Sequence, residues 1–176
     1  DLDVVFYFSA FQFMNYDSYR AMFESWNSRL WDNTSGVLLW MSHPAWPSVE
    51  WQTYSWDYET FGSYYGSRKA CEPIHIQMNL HDNEVVILNT TMNPLEDVKV
   101  EAACLSLEGR RLDYKVQKNI DVAANSRKQV DIFVAIERVA DVVERLWCYG
   151  YALVVENLNN STYLTRKPAS LCLAVV

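Results

Sequence analysis

The sequence changes character near Pro73, and this change limits the possible folds more than any other feature. Residues 1–72 hold 19 of the 25 aromatic residues and six of the seven tryptophans. Residues 73–176 hold a single tryptophan, Trp147, and are rich instead in alternating valine, isoleucine and leucine. A fold with a single repeating spacing of apolar residues does not produce such a shift in composition. The sequence therefore predicts two architectures joined end to end.

The first half contains a candidate amphipathic helix. Five apolar residues recur at helical spacing and predict one apolar face of about three turns. They are Tyr19, Met22, Phe23, Trp26 and Leu30. Asn15 or Asp17 is a suitable N-cap, because a short polar side chain can accept a hydrogen bond from the free N–H groups of the first turn. Residues 1–14 fit a helix or a strand equally well.

A continuous apolar run over residues 37–41 follows the helix. Its length and its lack of polar residues are typical of a strand buried on both faces, as in a parallel sheet or barrel. An irregular loop over residues 43–61 and a second helix over residues 62–72, ended by Pro73, come next. Helix, buried strand, long loop and helix form a (β/α) unit, and loops after such strands carry the chemistry in barrels.

The second half predicts short strands. Leu112, Tyr114, Val116 and Ile120 alternate with polar residues, which predicts a shared apolar face. The same alternation runs over residues 147–155. The remaining candidates are 74–80, 84–89, 98–107, 128–134 and a strand that starts at Tyr163 or Leu171, with turns at 93–94, 108–109 and 157–161. This number and spacing of strands predicts an all-β, immunoglobulin-like β-sandwich.

Composition excludes some functions. The formal net charge of −7 leaves no basic stripe for a nucleic acid, and no apolar stretch approaches the roughly 20 residues of a membrane helix. No secretory leader is recognised at the start of the chain. The four cysteines lack the spacing of a zinc site, so we expect no metal and no cofactor. Cys104 and Cys148 could form a bridge across a sandwich or remain buried thiols.

Three stretches of the first half resemble consecutive parts of one enzyme family. Residues 35–48, Ser-Gly-Val-Leu-Leu-Trp-Met-Ser-His-Pro-Ala-Trp-Pro-Ser, resemble the last barrel strand and following loop of glycoside hydrolase family 2. The likeness is greatest to the branch of exo-β-D-glucosaminidases and β-mannosidases. Residues 62–77 resemble the final barrel helix and its passage into a β-sandwich, and residues 15–28 resemble the preceding helix.

The resemblance implies that residues 1–72 are the last α/β elements of a truncated (β/α)8 barrel and that 73–176 are the sandwich. It implies a retaining exo-β-glycosidase, in which two carboxylic acids about 5 Å apart cleave a terminal β-linked sugar. Both catalytic glutamates of the family precede the last barrel strand, and the only Asn-Glu pair here, Asn83-Glu84, lies in the sandwich half. We therefore expect the catalytic residues upstream of residue 1, an inactive isolated chain, and a substrate preference for glucosaminide, then mannoside, then galactoside.

The family resemblance indicates four residues for substrate binding. Trp40 ends the predicted strand and would stack on a sugar ring, or would instead fill the barrel core. Trp46 would contact sugar or pin down the loop. Ser42 and His43 would hydrogen-bond sugar hydroxyl groups. An acid of the loop is expected to pair with the ammonium group if the substrate is an amino sugar, and is otherwise solvated; the acids are Glu50, Asp57 and Glu59.

The expected partners are a β-linked oligosaccharide and the N-terminal part of the parent enzyme, without nucleic acid or membrane. Apolar faces that a partial barrel exposes could also cause self-association. The alternative function is a carbohydrate-binding or purely structural β-sandwich module. Because residues 73–176 hold few aromatic residues, the structural role is favoured for them. An enzyme of this kind is expected in the periplasm or outside the cell.

Overall fold

The computed structural model of the chain describes residues 2–48, 51–79, 81–105, 111–132, 150–156 and 162–168. The chain divides into two units, Asp1–Glu72 and Pro73–Val176. This boundary falls where the composition changes. Each unit is described by itself.

The first unit contains two helices, α1 (Leu2–Asn27) and α2 (Gly62–Ala70). Both predicted helices are confirmed, but the predicted start of the first is wrong. Asn15 and Asp17 lie inside α1 and are not N-caps, and residues 2–14 are helical. No glycine or proline interrupts residues 2–27, so no residue in this stretch ends the helix early.

The buried face of α1 matches the predicted apolar face only in part, since Tyr19 is buried but charged residues are buried as well. Arg20 and Glu24 are 1% and 4% exposed, and Arg20 Nε lies 2.7 Å from Glu24 Oε1. Trp26, which was predicted to face the core, is 48% exposed. Leu30 lies beyond the end of the helix. Burial of two charges is tolerated here because each charge offsets the desolvation of the other.

Two glycines allow α2 to approach the backbone of α1. A Cβ atom built on Gly66 would lie 2.2 Å from the carbonyl oxygen of Tyr16, and one on Gly62 would lie 2.0 Å from that of Gln12. The Gly62 N–H donates to Gln12 Oε1 at 2.6 Å, and Asn27 Nδ2 donates to the Ala70 carbonyl at 2.9 Å. The first residues of α2 therefore face the middle of α1 and the last face its end, so the two helices run parallel.

The described residues of the first unit do not form the buried strand that was predicted over residues 37–41. Residues 36–39 lie in no helix or strand, and they pair with no strand of the first unit as described. Leu38 is fully exposed, and Trp40 and Met41 are 79% and 51% exposed. A strand of a parallel sheet is buried only when strands on either side and helices above it cover it. The described residues of this unit supply two helices and no neighbouring strand.

The second unit is a β-sandwich, as the sequence predicted. The described residues contain seven strands: β1 (Ile74–Met78), β2 (Val85–Asn89), β3 (Leu95–Leu105), β4 (Arg111–Val122), β5 (Ser126–Val130), β6 (Gly150–Glu156) and β7 (Thr162–Pro168). They form a three-stranded sheet, β1-β2-β5, and a four-stranded sheet, β4-β3-β6-β7. All pairs are antiparallel.

The core of the sandwich lies between the two sheets. Both sheets contribute buried apolar side chains, and the most deeply buried include Ile76, Ile87, Val98, Val100 and Ala102. Alternate residues of a strand point to opposite faces, so the valine, isoleucine and leucine of these strands bring one apolar face of each sheet inward. This burial is the main stabilising term of the unit.

One predicted face of β4 is wrong because the strand contains a β-bulge. Val98 pairs with Ile120 and Val100 pairs with Gln117, so β4 has one extra residue between these pairs. Asn119 lies there with a φ of 58°, a conformation that asparagine tolerates. The extra residue reverses the alternation. Tyr114 and Val116 are therefore 41% and 42% exposed, whereas Ile120 is buried.

Asn89 joins two turns at one end of the sandwich. Its side-chain amide donates to the carbonyl oxygens of Asn93 at 2.8 Å and Ala123 at 3.0 Å. Its side-chain oxygen accepts hydrogen bonds from the Thr91 N–H and hydroxyl. The predicted turn at residues 93–94 is confirmed between β2 and β3. Asn89 is fully buried, so these hydrogen bonds are not shared with water.

Some predictions lie outside the described residues. These are the turns at 108–109 and 157–161, the strand residues 147–149, a strand from Leu171 and the proposed partner Cys148.

We predict that Gly66→Ala lowers the unfolding free energy of the first unit by about 1–3 kcal/mol, because the new methyl group forces α2 away from α1. Urea unfolding followed by tryptophan fluorescence is a suitable measurement, since six of the seven tryptophans lie in residues 1–72. Arg68→Ala, at an exposed position of the same helix, is the control and should change stability little. Equal stability of Gly66→Ala and the control would contradict the close packing.

We predict that Asn89→Ala destabilises the sandwich by about 2–4 kcal/mol, since it leaves several turn groups without their hydrogen-bond partner. Thermal unfolding followed by far-ultraviolet circular dichroism measures this. Met92→Ala in the same turn is the control, because Met92 is 85% exposed. A melting temperature of Asn89→Ala within error of the control would disprove this role of Asn89.

Candidate functional site

The aromatic loop, defined here as residues 40–61, is folded back on itself by backbone hydrogen bonds. The Ser42 carbonyl accepts hydrogen bonds from the Tyr54 N–H and the Thr53 hydroxyl, both at 3.0 Å. The Phe61 N–H then donates to the Thr53 carbonyl at 3.0 Å. The Ser63 hydroxyl of α2 donates to the Gln52 carbonyl at 2.7 Å. These contacts fix both ends of the loop to the start of α2.

Three polar or aromatic side chains are brought together in this loop. Ser42 Oγ lies 3.0 Å from His43 Nδ1, and the His43 ring packs against the Tyr58 ring with centroids 5.0 Å apart. Ser42 and His43 were candidates from the sequence, whereas Tyr58 was not. Their hydrogen bond can run in either direction. In both cases the hydroxyl and a neutral imidazole together keep one polar hydrogen and two lone pairs for a ligand.

The two candidate tryptophans are exposed. Trp40 is 79% exposed and Trp46 is 66% exposed, and Ser42 and His43 are exposed as well. Trp40 therefore does not fill a core within the first unit. The described contacts join Ser42 and His43 to Tyr58, but they do not join either tryptophan to that group. The part of Trp40 and Trp46 in sugar binding stays a prediction.

A tight turn over residues 55–59 holds a carboxylate that the sequence did not single out from the other acids of the loop. The Ser55 hydroxyl donates to Asp57 Oδ1, and the Glu59 N–H donates to Ser55 Oγ at 3.1 Å. The Ser55 N–H donates to the Glu59 carbonyl at 2.9 Å, and the Tyr58 N–H donates to the Ser55 carbonyl at 3.1 Å. The hydrogen bond from Ser55 holds the pKa of Asp57 below its ordinary value of 3.8. The sequence does hold one pattern that could have indicated this turn. A serine stands two residues before an aspartate, and both residue types form local hydrogen bonds in turns.

The loop presents side chains of the kinds that binding surfaces use. Exposed indole faces can stack on sugar rings, the Ser42–His43 pair can bind hydroxyl groups, and Asp57 can bind a cation. The described part of the chain contains no group of three or more His, Cys, Asp or Glu residues that could hold a metal ion. It also contains no helix long and apolar enough to cross a membrane.

No family model matches the chain. Its fold is similar to part of the exo-chitosanase CsxA of Amycolatopsis orientalis, with a TM-score of 0.72, 22% identity and coverage of 89% of this chain and 19% of that protein. It is also similar to part of a β-D-mannosidase from Dictyoglomus thermophilum, with a TM-score of 0.63, 20% identity and coverage of 85% and 18%. The sandwich and the preceding helices therefore occur together in solved glycosidase structures.

Sequence relatives give the same class. An exo-β-D-glucosaminidase from Amycolatopsis orientalis is 30% identical over 164 residues, which are 91% of this chain and 16% of the relative. A mannosylglycoprotein endo-β-mannosidase from Lilium longiflorum is 38% identical over 112 residues, which are 64% of this chain and 12% of the relative. The chain thus spans about an eighth to a sixth of these relatives. Both are glycoside hydrolases by name, the class that the sequence motifs predicted.

We predict that Ser55→Ala raises the pKa of Asp57 toward its ordinary value, because the variant lacks the hydroxyl donor to the carboxylate. A lowered pKa in the folded chain means that this contact stabilises the fold above the pKa of the unfolded chain. That stabilisation is lost as the pH falls through the folded pKa. NMR titration of the side-chain carboxyl carbon measures the shift. Ser48→Ala is the control, since Ser48 Oγ contacts the Trp46 carbonyl instead. An unchanged pKa in Ser55→Ala would contradict the assignment.

Proposed function

We propose that this chain is the C-terminal part of a retaining exo-β-glycosidase of glycoside hydrolase family 2. The observation that carries the proposal is the similarity to the exo-β-D-glucosaminidase of Amycolatopsis orientalis over 91% of the chain. A match of that extent includes residues of both units. The aromatic loop, with its exposed indoles and its Ser42–His43 pair, supplies the chemistry that such a function needs on this chain.

Residues 1–72, in this proposal, are the last elements of a (β/α)8 barrel, and residues 73–176 are an immunoglobulin-like sandwich. Two parallel helices with a non-helical apolar segment between them fit consecutive barrel helices on either side of a strand. The exposed residues 36–41 would then pair with barrel strands from an earlier part of the enzyme. This pairing would bury Leu38 and would place Trp40 at the carboxyl end of the strand.

The chain contributes binding and not bond cleavage in this proposal. Two glutamates from the earlier part of the enzyme attack the anomeric carbon and protonate the leaving oxygen, and water then releases the sugar with retained configuration. Trp40 and Trp46 stack on the sugar, and Ser42 and His43 bind its hydroxyl groups. The isolated chain is therefore inactive. Glucosaminide is the preferred substrate, followed by mannoside and galactoside.

The sandwich has a structural role in this proposal, since residues 73–176 hold only six of the 25 aromatic residues. The ring of Tyr114 is exposed in this unit, and the Arg111 guanidinium lies over it at 4.5 Å. A sugar could not stack there without displacing the guanidinium. The proposed location of the enzyme remains the periplasm or the outside of the cell.

An endo-acting β-mannosidase is a second candidate. The observation that favours it is the 38% identity with the endo-β-mannosidase of Lilium longiflorum, which exceeds the 30% identity with the glucosaminidase over a shorter alignment. The two candidates differ in their products. An exo-enzyme releases single sugars from an end, whereas an endo-enzyme releases an oligosaccharide from within a glycan.

We predict that the full-length enzyme hydrolyses nitrophenyl β-glucosaminide faster than the β-mannoside and β-galactoside, and that residues 1–176 alone hydrolyse none of them. Initial rates of nitrophenol release from both proteins in parallel test this. Turnover by the 176-residue chain would show that the catalytic acids lie inside it. Release of oligosaccharide from a mannosylated glycopeptide, without cleavage of the nitrophenyl sugars, would favour the endo-mannosidase.

Variants of Trp40 test its role within the same assay. Trp40→Ala should lower kcat/KM by roughly tenfold, because the sugar loses an aromatic face worth about 1 kcal/mol or more. Trp40→Phe keeps an aromatic ring at the same position and should retain most of the activity. Equal kcat/KM values for Trp40→Ala and the wild-type enzyme would remove Trp40 from the site.

A further inference from the structure

Asp57 is a carboxylate without a cationic partner among the residues that the structure describes. Its contacts are hydrogen bonds from the Ser55 hydroxyl and from backbone N–H groups of the same turn, and its side chain is exposed to solvent. These contacts keep the carboxyl ionised and limit its motion. An ionised carboxylate that is already held in place can bind a cation with little further loss of side-chain entropy.

The position of Asp57 connects it to the candidate sugar contacts. Tyr58, the next residue, has a φ of 67° and packs its ring on His43, which contacts Ser42. A left-handed backbone conformation is unfavourable for tyrosine. We infer that the hydrogen bonds of the turn maintain this conformation at Tyr58. The turn thereby holds Asp57 one residue from the group that is proposed to bind sugar hydroxyls.

We propose, on the basis of the glycosidase function above, that Asp57 is a specificity-determining residue that pairs with the ammonium group of an amino sugar in the substrate. A neutral sugar could donate hydroxyl hydrogen bonds to this carboxylate but could form no ion pair with it, and an anionic sugar would be repelled by it. The similarity to an exo-β-D-glucosaminidase over most of the chain, on which the proposed function rests, also favours an amino sugar.

Glu59 provides a matched control for charge. It lies in the same turn and is exposed, and its recorded hydrogen bonds to Ser55 use only its backbone N–H and carbonyl. Glu59→Gln therefore removes one negative charge from the loop and leaves the Ser55–Asp57 contact in place. Asp57→Asn removes the charge at the proposed site and retains the size of the side chain.

The test is a comparison of the wild-type full-length enzyme with Asp57→Asn and Glu59→Gln on oligomers of β-linked glucosamine. An exposed ion pair is worth little, so we expect Asp57→Asn to raise KM roughly two- to five-fold without a change in kcat. The difference should shrink as salt is added, because salt screens exposed charges. Hydrolysis of a β-mannoside and the KM of Glu59→Gln for glucosamine oligomers should be unchanged.

Calorimetric titration of the same proteins with glucosamine oligomers separates this inference from the proposed reaction. Weaker binding by Asp57→Asn supports the inference even if the enzyme hydrolyses no glucosaminide. Equal affinities of the wild type and Asp57→Asn overturn it, as does an equal loss in Glu59→Gln. Glycosidase activity that is confined to neutral sugars, with no binding of glucosamine oligomers, overturns the inference and leaves the glycosidase assignment standing.

Discussion

The close approach of α2 to the backbone of α1 determines where the aromatic loop begins and ends. Gly62 and Gly66 permit that approach, because any larger side chain would meet the carbonyl oxygens of Gln12 and Tyr16. The loop runs directly into Gly62, and its Gln52 carbonyl accepts the Ser63 hydroxyl of α2. The positions of Ser42 and His43 follow from this, since Thr53 and Tyr54 tie Ser42 to the segment that enters α2. A shift of α2 would therefore move the whole aromatic loop.

The periodic parts of the fold could be predicted from the sequence, and the local departures from periodicity could not. Alternation in residues 73–176 identified the sandwich because each sheet hides one face. The same rule placed Tyr114 and Val116 on the wrong face, since a single extra residue at Asn119 reverses the alternation and leaves no mark on the residues before it. Helical spacing similarly found α1 but assigned its buried face to apolar residues. Tyr19 of that face is buried, but the Arg20–Glu24 ion pair is buried as well, because two opposite charges can be buried together.

Residues 37–41 show a different reason for failure. Their apolar run reads as a buried strand because burial of a parallel strand depends on its neighbours, which the run itself does not contain. The run is as apolar as a buried strand requires, but the described residues supply no strand beside residues 37–41. For the site, sequence motifs indicated Trp40, Ser42, His43 and Trp46, whereas the contact between His43 and Tyr58 depends on a turn 15 residues further along. No local sequence pattern predicts a contact between residues so far apart in the chain.

The division of labour within the proposed enzyme has a consequence for how specificity arises. If the catalytic acids lie on another part of the protein, the pKa values that govern bond cleavage are not set by residues 40–61. This loop can then change which sugar is held without altering the chemistry applied to it, because interactions that are equal in the bound substrate and the transition state affect KM alone. A loop fixed by its hydrogen bonds to α2 but exposed at its side chains is suited to this role. Substitutions at its surface can alter the choice among glucosaminide, mannoside and galactoside while the catalytic residues stay the same.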